Sequence, residues 1–133
     1  MTAEIIYEGQ LRTRCRHIQS GAEILTDAPI DNHGKGEAFS PTDLTATSLA
    51  ACIITTMGIK ANQMELDIDG ARAEATKVMA SAPRRIAEIH VSIYMPAKNY
   101  TEKDRQIMER IAHTCPVALS LHPDLKQVVT FYW

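Results

Sequence analysis

The sequence predicts a mixed fold of helices and strands that is organised around one buried helix. Between Leu44 and Ile59 there is no charged side chain, and a helix without a charged face is normally buried on nearly every side. Residues 86–95 alternate apolar and polar side chains, which is the period of a half-buried strand. Two β-compatible arms precede the helix, and an amphipathic helix follows the strands. The rest of the chain is therefore expected to wrap the central helix.

Residues 3–28 are predicted to form an antiparallel hairpin, with a Ser-Gly turn signal at position 20 and a proline after the second arm. Arg12, Arg14 and Arg16 alternate with uncharged residues, so all three lie on one face of the first arm. Such a row is either a solvated edge that discourages aggregation or a set of guanidinium groups aimed into a site. Cys15 faces the other way, and we interpret it as a packing residue.

The central helix is predicted over residues 40–60. Ser40 can cap its first turn, and Asp43 completes a Ser-x-x-Asp capping box. The Gly-rich segment before it, residues 31–39, is expected to be a flexible loop over a pocket. Cys52 is either a small buried apolar residue or a reactive thiol. It shares a mildly polar helical stripe with Thr45, Ser48 and Thr55.

After the central helix the chain is predicted to return as two strands, residues 65–79 and 86–95, joined by a Ser-Ala-Pro turn. A second helix begins at a capping box that starts with Thr101, and a last strand covers residues 128–133. Cys115 directly precedes a proline, which predicts that it caps a further helix. At that position free amides and the helix dipole would stabilise a thiolate.

Composition excludes several functional classes. The chain has 133 residues, a formal charge of -2 and 5% aromatic residues, which gives no case for nucleic acid or an anionic membrane as partner. Its first residues lack the pattern of a signal peptide, and no apolar run approaches the length of a transmembrane span. The three cysteines make no secreted disulfide framework. We therefore expect one domain in a cytoplasmic protein, and a homodimer that completes the burial of the apolar helix.

Three kinds of chemistry fit the cysteines and histidines. Metal binding would use His113, Cys115 and His122, with His33 as a further ligand, although their spacing matches no tight zinc pattern. A Cys–His hydrolase would use Cys52 or Cys115 as nucleophile, although nothing marks a histidine as its base. Thiol redox chemistry would use both cysteines, one becoming a sulfenic acid and the other condensing with it to a disulfide. The residues alone do not show whether the two cysteines meet.

Three stretches of the chain give it a family resemblance. The motif SPTDLTATSLAAC ends at Cys52, the later motif TCPVALSL contains Cys115, and the chain opens with YEGQLRTR. Together they resemble the OsmC/Ohr family of thiol peroxidases. The resemblance covers residues 1–133 as a single OsmC-like domain. It implies an α+β fold and an intertwined homodimer, in which central buried helices are wrapped by antiparallel β-sheets.

The resemblance assigns roles to the two cysteines, Cys52 as the peroxidatic and Cys115 as the resolving residue. The implied reaction reduces organic hydroperoxides to alcohols through a Cys52 sulfenic acid and a Cys52–Cys115 disulfide, which an external dithiol reductant reopens. No metal or organic cofactor is implied. Because Leu49, Ile53 and Met57 neighbour Cys52 along the helix, we expect an apolar substrate side of the pocket. The alternative is a non-catalytic OsmC-like stress protein that binds a small apolar ligand.

The resemblance also implies an arginine and a carboxylate. In the family, an arginine of the N-terminal hairpin stabilises the thiolate and the departing oxygen, and Arg12 or Arg14 matches it. A glutamate near the start of the central helix holds that arginine. Here Thr42 occupies the matching position, and the nearest carboxylate is Asp43. On an ideal helix Asp43 lies about 13 Å along the axis from Cys52 and on the opposite face, so it serves that cysteine only if the helix start bends or a partner subunit supplies it.

Overall fold

The computed structural model describes residues 1–133 and contains two three-stranded sheets and two long helices. This is the mixed α+β architecture that the sequence predicts. The chain divides into two compact units, Met1–Thr45 and Ala46–Trp133. In chain order the elements are β1 (Ala3–Gly9), β2 (Arg12–His17), β3 (Glu23–Asp27), a 3-10 turn (Ile30–Asn32), α1 (Pro41–Gln63), β4 (Arg72–Ala80), β5 (Arg85–Tyr94), α2 (Glu102–Ala112), α3 (Pro116–Ser120) and β6 (Lys126–Tyr132).

The first unit contains the antiparallel sheet β1-β2-β3, which corrects the prediction of a single hairpin over residues 3–28. A second tight turn lies at Gly9, Gln10 and Leu11, whose φ angles are 88°, 52° and 62°. Glycine adopts this left-handed conformation without steric penalty, which favours a turn at Gly9. The extra turn makes three strands from the predicted two arms, and it sets Arg12 directly opposite Asp27 in the β2–β3 register.

Helix α1 begins at the predicted capping box. The backbone amide of Ser40 donates to the Asp43 carboxylate at 2.9 Å, and the Asp43 amide donates to Ser40 Oγ at 3.1 Å. These two bonds satisfy amide groups that have no partner within the helix. The helix then runs three residues beyond the predicted end at Lys60, to Gln63.

Within one chain α1 is buried on one side only, although its lack of charge predicts burial all round. Its buried side consists of Ala46, Leu49, Ala50, Ile53, Met57 and Ala61, whereas Ser48, Ala51, Thr55 and Ile59 are exposed. An 18-residue window of the helix has a mean hydropathy of 1.4, and 33% of that window is buried. By length and composition alone the helix could therefore cross a membrane, contrary to the sequence expectation, but the core helix of a soluble protein passes the same test.

The second unit places the sheet β4-β5-β6 in one core with the buried side of α1 and with α2. Strand β4 begins at Arg72 rather than at residue 65, because residues 64–71 form turns. The predicted alternation in β5 is confirmed, with Ile89, Val91 and Ile93 buried. Strand β6 pairs with β5 in parallel, so the second sheet is mixed and not antiparallel throughout as predicted.

The second helix starts as predicted, at a capping box in which Thr101 and Asp104 exchange hydrogen bonds of 2.9 and 3.1 Å. Its apolar stripe contributes Met108 and Ala112 to the same core, both with no exposed surface. The short helix α3 follows, with Cys115 as its N-cap. The helix α2 thus leads the chain from the sheet to a cysteine that lies inside the core.

Candidate functional site

The structure brings Cys52 and Cys115 together. Cys52 lies in the middle of α1 and is partly exposed, whereas Cys115 has no exposed surface. Both are free thiols, and they are near enough for Cys52 to contribute to the raised pKa of Cys115. Both belong to the second unit. The fold thus makes neighbours of two thiols that are far apart along the chain, and proximity of this kind is the first requirement for a redox pair.

Cys115 caps α3 as the sequence predicts, but burial outweighs the predicted stabilisation of its thiolate by backbone amides. Its sulfur accepts the backbone N–H of Ala118 at 3.3 Å, which favours the thiolate. Burial acts in the opposite sense and more strongly, and the neighbouring Cys52 adds to it, so the pKa of Cys115 is raised above its ordinary value. A raised pKa keeps the Cys115 thiol protonated at neutral pH.

The first unit holds Arg12 between two carboxylates, and we call Arg12, Asp27 and Glu37 the Arg12 cluster. Arg12 Nε donates to Asp27 Oδ1 at 2.7 Å, and Nη2 donates to Asp27 Oδ2 at 2.8 Å and to Glu37 Oε2 at 3.0 Å. The first two bonds form a bidentate pair, the strongest geometry for a guanidinium and a carboxylate. The hydrogen bond from Arg12 lowers the pKa of Asp27 in spite of its burial. Asp27 is therefore ionised at neutral pH.

Arg14 is held by ion pairs that are more exposed than the Arg12–Asp27 pair. Its Nε lies 2.5 Å from Glu8 and its Nη1 lies 3.1 Å from Glu23, while 41% of its side chain is exposed. Arg12 is 25% exposed, and its partner Asp27 only 1%. Exposed ion pairs are screened by water and fix a side chain poorly. Of the two arginines that match the family arginine, Arg12 is thus held more firmly.

Sequence reasoning missed both carboxylates that hold Arg12, and it left Asp43 either as the substitute for the family glutamate or as a helix cap only. The structure gives Asp43 the role of helix cap through its two hydrogen bonds with Ser40. Asp27 is a cross-strand partner of Arg12, and Glu37 belongs to the Gly-rich loop that precedes α1. The cross-strand pairing could have been found from the sequence only with the correct turns, since register follows from the turns that join the strands.

The expected apolar substrate side of the pocket is also corrected. Leu49, Ile53 and Met57 have exposed fractions of 0%, 1% and 0%, because they pack into the core beneath Cys52. They are neighbours of Cys52 along the chain but lie on the buried side of α1. The exposed helix residues nearest to Cys52 in sequence are small, namely Ser48, Ala51 and Thr55.

The other two chemistries receive no support from the side-chain arrangement. No group of three or more His, Cys, Asp or Glu side chains is arranged to hold a metal ion, so His113, Cys115, His122 and His33 form no such site. The groups that shift the pKa of Cys115 are two backbone amides and Cys52, in addition to burial, and no histidine is among them. The shift therefore gives no support for a histidine base beside Cys115.

Comparison with known proteins places this geometry in context. Residues 34–128 match the profile of OsmC-like proteins. One similar crystal structure is that of a protein from Psychrobacter arcticus 273-4, which is provisionally described as an osmotic stress induced and detoxification response protein. It is 54% identical in sequence, and the match covers 99% of this chain and 96% of that one, with a TM-score of 0.95. No curated protein matches the chain in sequence.

Two more distant structures carry more specific names. The organic hydroperoxide resistance protein OsmC of Legionella pneumophila is 14% identical over 100% of this chain and 98% of its own, with a TM-score of 0.79. The organic hydroperoxide resistance protein OhrB of Bacillus subtilis is 15% identical over 99% and 98%, with a TM-score of 0.70. At these identities the likeness is one of fold.

Proposed function

This chain belongs to the family of OsmC-like proteins, and from that membership we propose that it is a cysteine-based peroxidase that reduces organic hydroperoxides to alcohols. The single observation that supports the proposal most is the contact between a partly exposed thiol, Cys52, and a buried thiol, Cys115. The names of the Legionella and Bacillus structures support the substrate class. A metal or organic cofactor is not required for this chemistry.

The proposed first step uses Cys52 as nucleophile. Its thiolate attacks the distal oxygen of the hydroperoxide, so that a sulfur–oxygen bond forms and the oxygen–oxygen bond breaks. The alkoxide takes up a proton and leaves as the alcohol, and Cys52 becomes a sulfenic acid. A protonated Cys115 supports this order of events, because a thiol is a much poorer nucleophile than a thiolate.

The second step consumes Cys115. Its sulfur attacks the sulfur of the Cys52 sulfenic acid, a disulfide forms, and the hydroxyl group leaves with the thiol proton as water. An external dithiol then returns two electrons through a mixed disulfide and restores both thiols. The peroxide is thereby reduced by two electrons, and the dithiol is oxidised by two.

Arg12 is the arginine that we propose to assist Cys52. A cation near the thiolate and the departing oxygen lowers the energy of the negative charge that moves between them. Its firm attachment to a buried carboxylate favours Arg12 over Arg14, because a positioned charge needs no reorganisation during the reaction.

A homodimer is part of the proposal. The exposed apolar side chains of the first sheet include Ile5, Tyr7 and Ile24, with exposed fractions of 60%, 63% and 51%. On α1, Ile59 is 58% exposed. Apolar surface of this extent is commonly covered by a second subunit, and we propose an intertwined homodimer of a cytoplasmic protein. Light scattering that gives the mass of one chain at micromolar concentration would contradict it.

The experiment that tests the peroxidase is a thiol titration. The protein is reduced, freed of reductant and treated with one equivalent of cumene hydroperoxide, and its free thiols are counted. We expect the number to fall from three to one in the wild type and to remain at two in Cys52→Ser. Steady-state turnover is then measured with dithiothreitol as the reductant, once with cumene hydroperoxide and once with hydrogen peroxide as the substrate. The ratio of the two rates gives the preference for organic hydroperoxides. An unchanged wild-type thiol count would instead support a non-catalytic protein that binds a small apolar ligand.

A further inference from the structure

A cavity of about 320 Å³ lies at the start of β5, and we call it the Arg85 cavity. Its lining consists of Arg85 and Ile86 from β5 and of His122, Asp124 and Leu125 from the segment that joins α3 to β6. All five residues belong to the second unit. The volume is at the lower end of the range for small-molecule sites. At about 30 Å³ for each water-sized group, it has room for about ten such groups.

The floor of the Arg85 cavity is apolar because of a bulge in β5. The register between β4 and β5 shifts after Val78, which leaves Ala87 without a residue opposite it. Strict alternation would place Ile86 and the buried Ile89 on opposite faces of the strand, since they are three residues apart. The extra residue returns Ile86 to the side of the core. Ile86 and Leu125 both pack against the core and are only half-buried, so they offer the cavity an apolar surface.

The polar part of the lining is a tight turn that begins at His122. The backbone N–H of Leu125 donates to the carbonyl of His122 at 3.0 Å, and Pro123 occupies the second position of the turn, which its fixed φ favours. The backbone N–H of Asp124 donates to His122 Nδ1 at 3.1 Å. Because Nδ1 accepts this bond, the N–H of the imidazole is on Nε2. The turn thus holds a lining histidine with a hydrogen-bond donor at its other ring nitrogen.

Arg85 is a cation without a carboxylate partner. Its Nη1 donates to the carbonyl of Pro83 at 3.0 Å, and it forms no ion pair. Arg12, Arg14 and Arg72, in contrast, are each paired with a carboxylate. An unpaired arginine is ordinary on an open surface, but this one lines a cavity that has an apolar floor. A guanidinium binds a carboxylate through two parallel N–H bonds, which makes a carboxylate the best match to Arg85.

The one carboxylate in the lining, Asp124, does not neutralise this cation. Its side chain is 91% exposed, and its Oδ2 lies 3.8 Å from His122 Nδ1, which already accepts a backbone N–H. A carboxylate with this exposure is screened by water and salt. Its repulsion of a bound anion is therefore weaker than the attraction from a guanidinium in direct contact.

We propose that the Arg85 cavity binds a small organic acid that has a carboxylate head and an apolar body. The carboxylate pairs with Arg85 and accepts the Nε2–H of His122, while the body covers Ile86 and Leu125. An acid of about ten heavy atoms, the size of octanoate, would fill the cavity. The site uses none of the residues of the proposed redox reaction, so its test is independent of that function.

The test uses octanoate as the probe. It is titrated into the reduced, full-length protein, and the backbone amides are followed by proton–nitrogen correlation NMR. We expect saturable shifts at the amides of Ile86, Asp124 and Leu125. The dissociation constant should be in the millimolar range, because about ten heavy atoms of ordinary ligand efficiency give an affinity of that order. Shorter acids should bind more weakly, by up to about fourfold for each methylene removed.

Two comparisons test the role of charge. Arg85→Gln should weaken octanoate binding about fivefold or more through the loss of charge-assisted hydrogen bonds. Arg110→Gln, at an exposed arginine outside the cavity, is the matched control and should bind as the wild type does. Octylammonium, which has the same apolar body and the opposite charge, should give no saturable shift at these amides.

Three results would overturn the proposal. Equal affinity of Arg85→Gln and wild type for octanoate would refute the role of the guanidinium, and equal binding of octylammonium and octanoate would show an apolar groove without charge selection. Shifts that are confined to residues outside the cavity, or no saturable shift at all, would refute the site itself. Because Arg85 is exposed, its variant is expected to fold. Should its NMR spectrum show otherwise, the comparison of the two probes on the wild type decides.

Discussion

Oxidation should make this protein measurably more stable to heat. The perturbation is one equivalent of cumene hydroperoxide, added to the reduced protein without any dithiol. We expect it to link Cys52 to Cys115, because the two thiols are neighbours in the folded protein. The link would join the middle of α1 to the N-cap of α3, elements that are far apart along the chain. A crosslink between distant residues restricts the unfolded chain more than the folded one.

The magnitude follows from the length of the closed loop. Residues 52 and 115 are 63 positions apart, and the chain-entropy relation gives about 4 kcal/mol of stabilisation for such a loop at 25 °C. At about 2.1 cal/mol/K per residue, the unfolding entropy of a chain of this length is about 0.28 kcal/mol/K. The upper limit for the rise in Tm is then about 15 °C. Because α1 or α3 must shift slightly for the sulfurs to bond, we expect a measured rise of about 5 to 15 °C.

The assay is a thermal scan by circular dichroism of the reduced and the oxidised protein, with the disulfide located by peptide mapping. Cys115→Ser is the control, since it retains Cys52 but has no second sulfur to join. Its Tm should not rise upon oxidation. An unchanged or lower Tm in the oxidised wild type, or the same rise in Cys115→Ser, would refute the pairing of the two cysteines.

Three further predictions concern the scaffold. Ile53→Ala should lower the free energy of unfolding by about 2 to 5 kcal/mol in urea titrations, because this core residue is 1% exposed; Ile30→Ala, at a residue that is 78% exposed, should stay within about 0.5 kcal/mol of wild type. Ser40→Ala should cost about 1 kcal/mol in the same titration through loss of the α1 cap, and a change below measurement error would contradict the capping role. Because Arg12 lowers the pKa of Asp27, the pair stabilises the fold above the unfolded-state pKa, and this stabilisation is lost as the pH falls through the folded-state value. Asp27→Asn should therefore flatten the acid side of the Tm-against-pH curve, and an unchanged acid side would count against the ion pair.

Local signals were sufficient for much of the fold. The capping boxes at Ser40 and Thr101 and the alternation of β5 are encoded within a few residues, and the structure contains all three. The N-cap position of Cys115 is local as well and was predicted from the proline that follows it. Its pKa was not, because desolvation depends on the surrounding core and outweighs the local amide bond.

Features that depend on distant parts of the chain could not be derived from the residues. The contact between Cys52 and Cys115 entered only through the family resemblance, since no local pattern relates positions so far apart. The partners of Arg12 were missed because the turn at residues 9–11 was missed, which left the β2–β3 register undetermined. Leu49 was assigned to a substrate pocket because it is close to Cys52 along the helix. In the structure it lies on the buried side of α1 and packs in the core.

The parallel pairing of β5 with β6 has a consequence for how the protein is made. Parallel neighbours need a long crossover connection, and here that connection contains α2, α3 and Cys115. On the ribosome β6 is synthesised after this whole crossover, so the sheet cannot close while the crossover is emerging. Until it closes, β5 has no parallel partner, and the core that buries Cys115 lacks Val129 and Phe131, which pack against it in the folded protein. The last strand to be synthesised thus completes the burial of a cysteine that lies before it in the chain.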